Sequence, residues 1–151
     1  LEEGEPIWEN DQAIVYGFRN EEALKETDLE SLLLAYARAV PEKGYVVLSG
    51  FIPRLEENFE FLQALRGRIL NAVNKATTLG FGPRFLHSTG QLHKGGLAGG
   101  LFIHFTKDAD LDFEIPGEGM SFGTLQRAQA LGDLQALEQK GRAAIRVHLK
   151  S

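Results

Sequence analysis

The sequence predicts an α/β fold with a mostly parallel sheet, and two features of its pattern support this prediction. Short apolar runs alternate along the chain with longer segments in which apolar residues recur every three or four positions. Such alternation of strands and helices is typical of right-handed crossovers that lay helices over a parallel sheet. In addition, the run at residues 45–51 is apolar without alternation, as expected of a strand covered on both faces.

The first half of the chain contains two strands and two helices in this pattern. A short strand is predicted at residues 13–16, and Asp28 is a suitable N-cap for a helix over residues 28–40. The apolar run at 45–51 is the second strand. Apolar residues at helical spacing then predict an amphipathic helix over residues 55–74.

The second half continues the alternation. Strands are predicted at residues 76–81 and 101–106, and Ser121 is a suitable N-cap for a last helix that Gly141 ends. A final strand is predicted at residues 144–149. The apolar face of the last helix is predicted to consist of Leu125, Ala128, Leu131, Leu134 and Leu137.

Composition limits the classes of protein to which the chain can belong. Its 151 residues, 43% hydrophobic and 25% charged, fit one globular domain. A net charge of −5, with scattered Lys and Arg, argues against nucleic-acid and anionic-membrane partners. The absence of cysteine excludes thiol chemistry and fits a reducing compartment, so we expect a cytoplasmic protein. The chain begins at Leu1 without an initiator Met, and we expect it to be part of a longer protein.

Common phosphate-binding motifs do not match the sequence. The Walker loop requires Gly-Lys followed by Ser or Thr, whereas this chain has Lys94 followed by two glycines. A dinucleotide fingerprint beginning at Gly80 requires a third glycine where Phe85 stands. We therefore expect no nucleotide cofactor, and no other cofactor is indicated.

Two groups of residues suggest metal sites, but neither has the required spacing. Acidic residues alternate as at the start of a calcium loop at Asp108, Asp110, Asp112 and Glu114. Phe113 stands at the turn position and Gly119 at the position of the final glutamate, so we interpret this segment as a solvated loop. The chain has four histidines, His87, His93, His104 and His148. Their spacing does not match one helix face and no carboxylate is paired with them, so no zinc is expected.

The strongest candidate site is a glycine-rich segment that follows the predicted strand at 76–81. Seven glycines fall between Gly80 and Gly100, and ligands of open parallel sheets bind at the carboxyl ends of strands. Backbone N–H groups at a helix start suit an anion or a sugar hydroxyl, and an imidazole can exchange protons near neutral pH. The candidate residues are His87, Ser88, Thr89, Gly90, Gln91 and Lys94. Alternatively, the glycines only permit tight turns and the histidine bonds within the loop; spacing alone does not decide between the two.

This segment and the chain after it resemble the phosphoglucose isomerase family, and most closely the bifunctional transaldolase/phosphoglucose isomerase proteins. The matching phrases begin with Thr77 to Gln91 and continue with Lys94-Gly95-Gly96 and Ile115-Pro116-Gly117. Further phrases match from Ser121 to the end of the chain. The resemblance is continuous over residues 45–151 and weaker over residues 1–44.

The resemblance implies a fold and a role for the chain. The fold is the sugar isomerase type, a three-layer α/β/α sandwich with a mostly parallel sheet, and the whole chain forms a single C-terminal domain of that type. His87, with Gln91 four residues later, matches the histidine that assists opening of the sugar ring and is presented to the neighbouring subunit. A homodimer that acts on a sugar phosphate is therefore expected, with the remainder of the parent enzyme as a further partner.

Several elements of the family's catalytic apparatus are missing from this chain. No Gly-Gly-Arg-x-Ser phrase, Phe-Asp-Gln phrase or Ser/Thr-rich phosphate loop is present, and no glutamate has the context of the family's base. We therefore expect the chain to contribute to glucose-6-phosphate/fructose-6-phosphate interconversion only within the full-length enzyme. The alternatives are a noncatalytic dimerisation or sugar-phosphate-binding module, and a small enzyme with chemistry of its own. His93 is the rival of His87 for the position that faces the substrate.

Overall fold

The computed structural model describes residues 4–53, 55–81, 99–108, 117, 119 and 121–150. Within this part of the chain, six strands form one sheet: β1 (Trp8–Glu9), β2 (Ala13–Gly17), β3 (Tyr45–Gly50), β4 (Ala76–Phe81), β5 (Gly100–Lys107) and β6 (Ala143–Leu149). The helices are α1 (Leu29–Arg38), α2 (Glu56–Val73) and α3 (Phe122–Gln139), with one 3₁₀ turn at Ala23–Lys25. No helix in these ranges is long and apolar enough to span a bilayer.

The sheet is mostly parallel, as predicted. Its strand order is β1-β2-β6-β5-β3-β4, and the neighbouring pairs β6/β5, β5/β3 and β3/β4 are parallel. The pairs β1/β2 and β2/β6 are antiparallel. β1 was not predicted, because a strand of two residues is too short to show an alternation of apolar and polar side chains. The last strand, β6, lies inside the sheet between β2 and β5.

Alternate residues of the central strands belong to two separate apolar clusters. Val46 and Leu48 of β3 lie in a cluster that includes buried residues of α1 and α2. Val47, between them, lies in a smaller cluster with Leu134 and Leu137 of α3. Because successive side chains of a strand point to opposite faces, the two clusters mark the two faces of the sheet. We call them the α1/α2 face and the α3 face.

The helix ends follow the capping chemistry of the sequence. The Asp28 side chain accepts a hydrogen bond from the Ser31 N–H at 3.0 Å. Hydrogen bonding by the Ser31 side chain, and then by this N–H, lowers the pKa of the Asp28 carboxyl. The Ser121 side chain accepts from the Thr124 N–H at 3.2 Å. At its C-terminal end, α2 is followed by Asn74, whose φ of 53° is left-handed.

The buried face of α3 differs from the prediction. Leu134 and Leu137 are buried as expected, but Ala128 is exposed, and Leu125 and Leu131 are only partly buried. The helix instead turns two polar residues inward, Gln126 and Asp133, together with Ala130. The apolar pattern predicted the C-terminal part of the buried face and missed the rest, because polar side chains on the sheet provide partners for a buried carboxylate, as described below.

Tyr36 fixes α1 to the end of β2. Its hydroxyl donates to the Phe18 carbonyl oxygen at 2.7 Å, and the two rings meet edge to face at 5.1 Å between centroids. The side chain is buried, and burial raises the pKa of the phenol to about 12.

We predict that Tyr36→Phe lowers the free energy of unfolding by about 1 kcal/mol at neutral pH, because the Phe18 carbonyl loses its donor. The folded-state pKa lies above the ordinary value of about 10, so the contribution of the neutral phenol is complete below pH 10 and is lost as the pH rises towards 12. Urea titrations between pH 7 and 12 should therefore give a shallower alkaline loss of stability in Tyr36→Phe than in the wild type. Equal alkaline slopes would contradict this assignment.

Candidate functional site at the carboxyl ends of the parallel strands

The order of the strands creates a topological switch between β3 and β5. β3 and β5 are neighbours in the sheet, but the strands that follow them lie in opposite directions. β4, which follows β3, lies on the side of β3 away from β5, and β6, which follows β5, lies on the side of β5 away from β3. The intervening α2 and α3 contribute to different faces of the sheet. In open α/β sheets, a crevice forms at the carboxyl ends of the strands at such a switch. The fold therefore places a candidate ligand site beyond Gly50 and Lys107.

A cavity of about 500 Å³ lies at this edge on the α1/α2 face. It is bounded by the ends of β5 and β6, the first turns of α1 and α2, and the β1–β2 turn. Polar and apolar side chains share its wall: Asp11, Gln12, Leu29, Glu57, Asn58, Phe61, Lys107 and Leu149. Its volume is within the range of roughly 300–1,000 Å³ typical of small-molecule sites.

Asn58 holds the start of α2 against this cavity. Its side-chain amide donates to the Pro53 carbonyl oxygen at 2.8 Å, and the residue is 7% exposed. This bond fixes the short connection between β3 and α2. Leu55, at the N-cap position, makes no side-chain hydrogen bond to the first turn of α2. Glu56 and Glu57 lie in this turn, where the helix dipole favours negative charge.

On the α3 face of the same edge, a chain of polar contacts runs from the interior to the surface. The fully buried Arg146 donates through Nη1 to Thr106 Oγ1 at 3.0 Å, and Thr106 Oγ1 lies 2.9 Å from His148 Nδ1. His148 Nε2 then lies 3.2 Å from Asp108 Oδ1. Arg127 of α3 donates to the same Asp108 oxygen at 3.0 Å.

The partners define the hydrogen positions on His148. Nε2 faces a carboxylate, which can only accept a hydrogen bond, so Nε2 carries a proton. In the neutral ring, Nδ1 is then the acceptor, and the Thr106 hydroxyl donates to it while accepting from Arg146. Chemically, the chain of bonds connects a buried guanidinium to an exposed carboxylate through one hydroxyl and one imidazole.

A second polar pair lies deeper in the same face. His104 Nε2 is 3.0 Å from Asp133 Oδ2, and both side chains are almost completely buried. The Phe51 ring packs on the imidazole at 5.2 Å between centroids. Asp133 is the inward-facing carboxylate that the apolar pattern of α3 missed.

Strand register brings these polar groups into one row across the sheet. His104 pairs with Ser49 of β3 on one side and with Arg146 of β6 on the other. Arg146 in turn pairs with Tyr16 of β2, and its guanidinium lies 4.2 Å from the centre of the Tyr16 ring. A polar row therefore crosses four strands beneath α3.

The residues of the sequence-based site lie outside the described part of the chain. These are His87, Ser88, Thr89, Gly90, Gln91 and Lys94. The structure describes only the point where the chain departs towards them, Phe81 at the carboxyl end of β4. Because β4 is parallel to β3, that point lies on the same edge of the sheet as the cavity.

The structure also bears on the metal-site alternatives. His104 and His148 each lie beside a carboxylate, so the expectation that no carboxylate pairs with these histidines is wrong. The carboxylate of Asp108 binds Arg127 and His148, while His87, His93 and residues 109–116 lie outside the described ranges. Within those ranges, no three His, Cys, Asp or Glu side chains are grouped as a metal site would require.

Sequence reasoning missed the polar groups of the α3 face, although a signal for them was present. His104, Thr106 and Asp108 recur every second residue, and so do Arg146 and His148. Strand periodicity therefore placed His104 and Thr106 on one face of β5 and Arg146 and His148 on one face of β6, with Asp108 just beyond the end of β5. The surrounding apolar run concealed this pattern.

Comparison with known proteins gives a likeness of fold. No protein-family model and no curated protein matches the chain. Among solved structures, the chain is similar to a hypothetical protein from Thermus thermophilus, with a TM-score of 0.59 and 21% identity. The match covers 85% of this chain and 37% of the Thermus chain. At this identity the likeness concerns the fold, which is mixed α/β.

We predict that the His104–Asp133 pair couples α3 to the sheet. His104→Phe and Asp133→Leu should each lower the free energy of unfolding by about 3 kcal/mol, because each removes one member of a buried pair whose polar atoms lie 3.0 Å apart. The double variant should lose clearly less than the sum of the two single losses. A double-mutant cycle by urea denaturation measures the coupling energy; additive losses would show that the pair does not couple these elements.

Proposed function

We propose that the chain is the C-terminal sugar isomerase-type domain of a phosphoglucose isomerase-like protein, such as a transaldolase/glucose-6-phosphate isomerase. In the full-length enzyme it contributes to glucose-6-phosphate/fructose-6-phosphate interconversion. The observation that carries the proposal is the ordered string of matching phrases over residues 45–151, whose glycine-rich part follows Phe81 at the carboxyl end of β4. This is the edge at which ligands of open α/β sheets bind.

The arrangement of the helices supports the finer fold assignment. Residues of α1 and α2 pack in one apolar cluster and residues of α3 in another, on alternate side chains of the same strands. We therefore propose a three-layer α/β/α sandwich for the whole domain. The antiparallel strands β1 and β2 extend one side of its parallel sheet.

In this proposal the chain's own residues act on the sugar ring. His87 donates a proton to the ring oxygen as the bond from C1 to that oxygen breaks, while the C1 hydroxyl loses its proton to water and becomes the carbonyl. Gln91 and Lys94 hydrogen-bond the sugar oxygens. Ser88, Thr89 and Gly90 contribute backbone N–H groups to substrate binding. The base that moves the proton between C1 and C2, and the loop that holds the phosphate, belong to the remainder of the parent enzyme. The active enzyme is a cytoplasmic homodimer.

The single acid–base group proposed for this chain cannot sustain the reaction alone. General acid–base assistance is worth about 10²–10⁴-fold in rate, and the missing base and phosphate anchor are not replaced by it. The 151-residue chain should therefore show no measurable interconversion of the two sugar phosphates.

The decisive experiment is made in the full-length enzyme. We predict that His87→Ala lowers kcat by about 10²-fold or more, because ring opening loses its proton donor. His93→Ala is the matched control, a histidine six residues further along, and should retain most of the activity. A coupled assay started from glucose 6-phosphate measures both variants. Wild-type turnover in His87→Ala, or loss of turnover in His93→Ala alone, would contradict the assignment of His87.

The second candidate function is a noncatalytic dimerisation or sugar-phosphate-binding module. The specific observation in its favour is an apolar surface beside β4, which is the last strand of the described sheet. Three side chains of this surface, Leu55, Phe59 and Leu70, are each at least 36% exposed. The rings of Phe59 and Phe81 stack with their centroids 6.3 Å apart.

A titration with sugar phosphate distinguishes the two candidate functions. Amide shifts of residues 87–96 on addition of the ligand favour the sugar-phosphate site of the isomerase proposal. A concentration-dependent dimer without such shifts favours the module.

A further inference from the structure

We infer that the cavity on the α1/α2 face is a second binding site, which takes an uncharged polyhydroxylated ligand such as a free hexose or a polyol. The inference is argued from described residues at the cavity and does not use residues 87–94, on which the proposed function depends. It follows from the position, the hydrogen-bonding groups and the charge of the cavity.

The position is one that parallel sheets use for ligands. The cavity lies at the carboxyl ends of β5 and β6, next to the switch between β3 and β5. Ile103, Phe105 and Lys107 are alternate residues of β5, so their side chains lie on the same face of the sheet, the α1/α2 face. Lys107 is part of the cavity wall on that face.

The wall offers the hydrogen-bonding groups that hydroxyls require. A hydroxyl donates one hydrogen bond and accepts others. The carboxylates of Asp11 and Glu57 accept, the ammonium of Lys107 donates, and the side-chain amide of Gln12 does both. A ligand with several adjacent hydroxyls can satisfy this mixed set, whereas an apolar ligand cannot.

The apolar part of the wall suits the C–H face of a sugar ring. Leu29 and Leu149 contribute aliphatic surface, and Phe61 contributes an aromatic ring that is 40% exposed. A partly exposed aromatic side chain beside convergent polar groups gives one apolar and one polar side to the cavity.

Charge distinguishes this ligand class from its phosphorylated relatives. In the described part of the wall, two carboxylates, those of Asp11 and Glu57, are accompanied by one ammonium, that of Lys107, so this part carries more negative than positive charge. A phosphate with a charge near −2 would be repelled. Lys107 in the same wall reduces the attraction of the two carboxylates for a cationic amine.

The test is a titration of the ¹⁵N-labelled chain at pH 7 with fructose, glucose and sorbitol, and separately with fructose 6-phosphate and spermidine. We expect saturable amide shifts at the cavity residues Gln12, Glu57 and Lys107 with an uncharged polyol, at millimolar affinity. The phosphate ester and spermidine should bind there more weakly. Tighter binding of either charged ligand at these residues, or no saturable shift with any uncharged polyol, would overturn the inference.

Matched variants on α2 separate the cavity from the rest of the helix. Phe61→Ala should weaken polyol binding by about tenfold, through loss of ring contact. Phe59→Ala is its control. The Phe59 side chain is 39% exposed and that of Phe61 is 40% exposed, but Phe59 is not part of the cavity wall, so this variant should leave the polyol affinity unchanged.

Glu57→Gln should weaken polyol binding by about fivefold, with Glu60→Gln as its control. Equal effects of a variant and its control would overturn the assignment, and the spread of amide signals verifies that each variant is folded.

Discussion

The parallel pairing of β3 with β5 is the constraint on which the rest of the structure depends. It brings together two strands that are far apart in the sequence and whose following connections run in opposite directions across the sheet. The switch between them, the cavity at their carboxyl edge and the polar row beneath α3 all result from this pairing. Its register aligns Ser49 with His104, which adds β3 to that row.

The polar row has a role in specifying this register. A shift of β5 by one residue would turn His104 and Thr106 towards the apolar cluster of α1 and α2 and would turn Ile103 towards Asp133. Buried polar groups without partners are costly, so the shifted pairing is disfavoured. Buried ion pairs add little net stability because desolvation opposes their attraction. We therefore attribute the stability of the sheet to its two apolar clusters and its register in part to the polar row.

The sequence predicted the strands and helices well and the chemistry of one face poorly. Capping side chains such as Asp28 and Ser121 act locally, so their positions in the sequence were sufficient to locate α1 and α3. The face that α3 buries depends on groups distant in the sequence. Asp133 is turned inward by His104, and no pattern within the helix contains that information. The cavity is unpredictable for the same reason, because its wall combines the β1–β2 turn with two helix starts.

Neighbouring residues at the end of β5 divide the carboxyl edge into two regions of different chemistry. Lys107 points to the cavity on the α1/α2 face, whereas Asp108 joins Arg127 and His148 on the α3 face. Asp108 Oδ1 accepts a hydrogen bond from Arg127 and lies 3.2 Å from His148 Nε2, whereas the described wall of the cavity has more carboxylates than ammonium groups. A phosphorylated ligand that approaches this edge is therefore not attracted to the cavity. Under the proposed isomerase function, we therefore expect the phosphate anchor elsewhere in the enzyme, in line with the lack of a Ser/Thr-rich phosphate loop in this sequence.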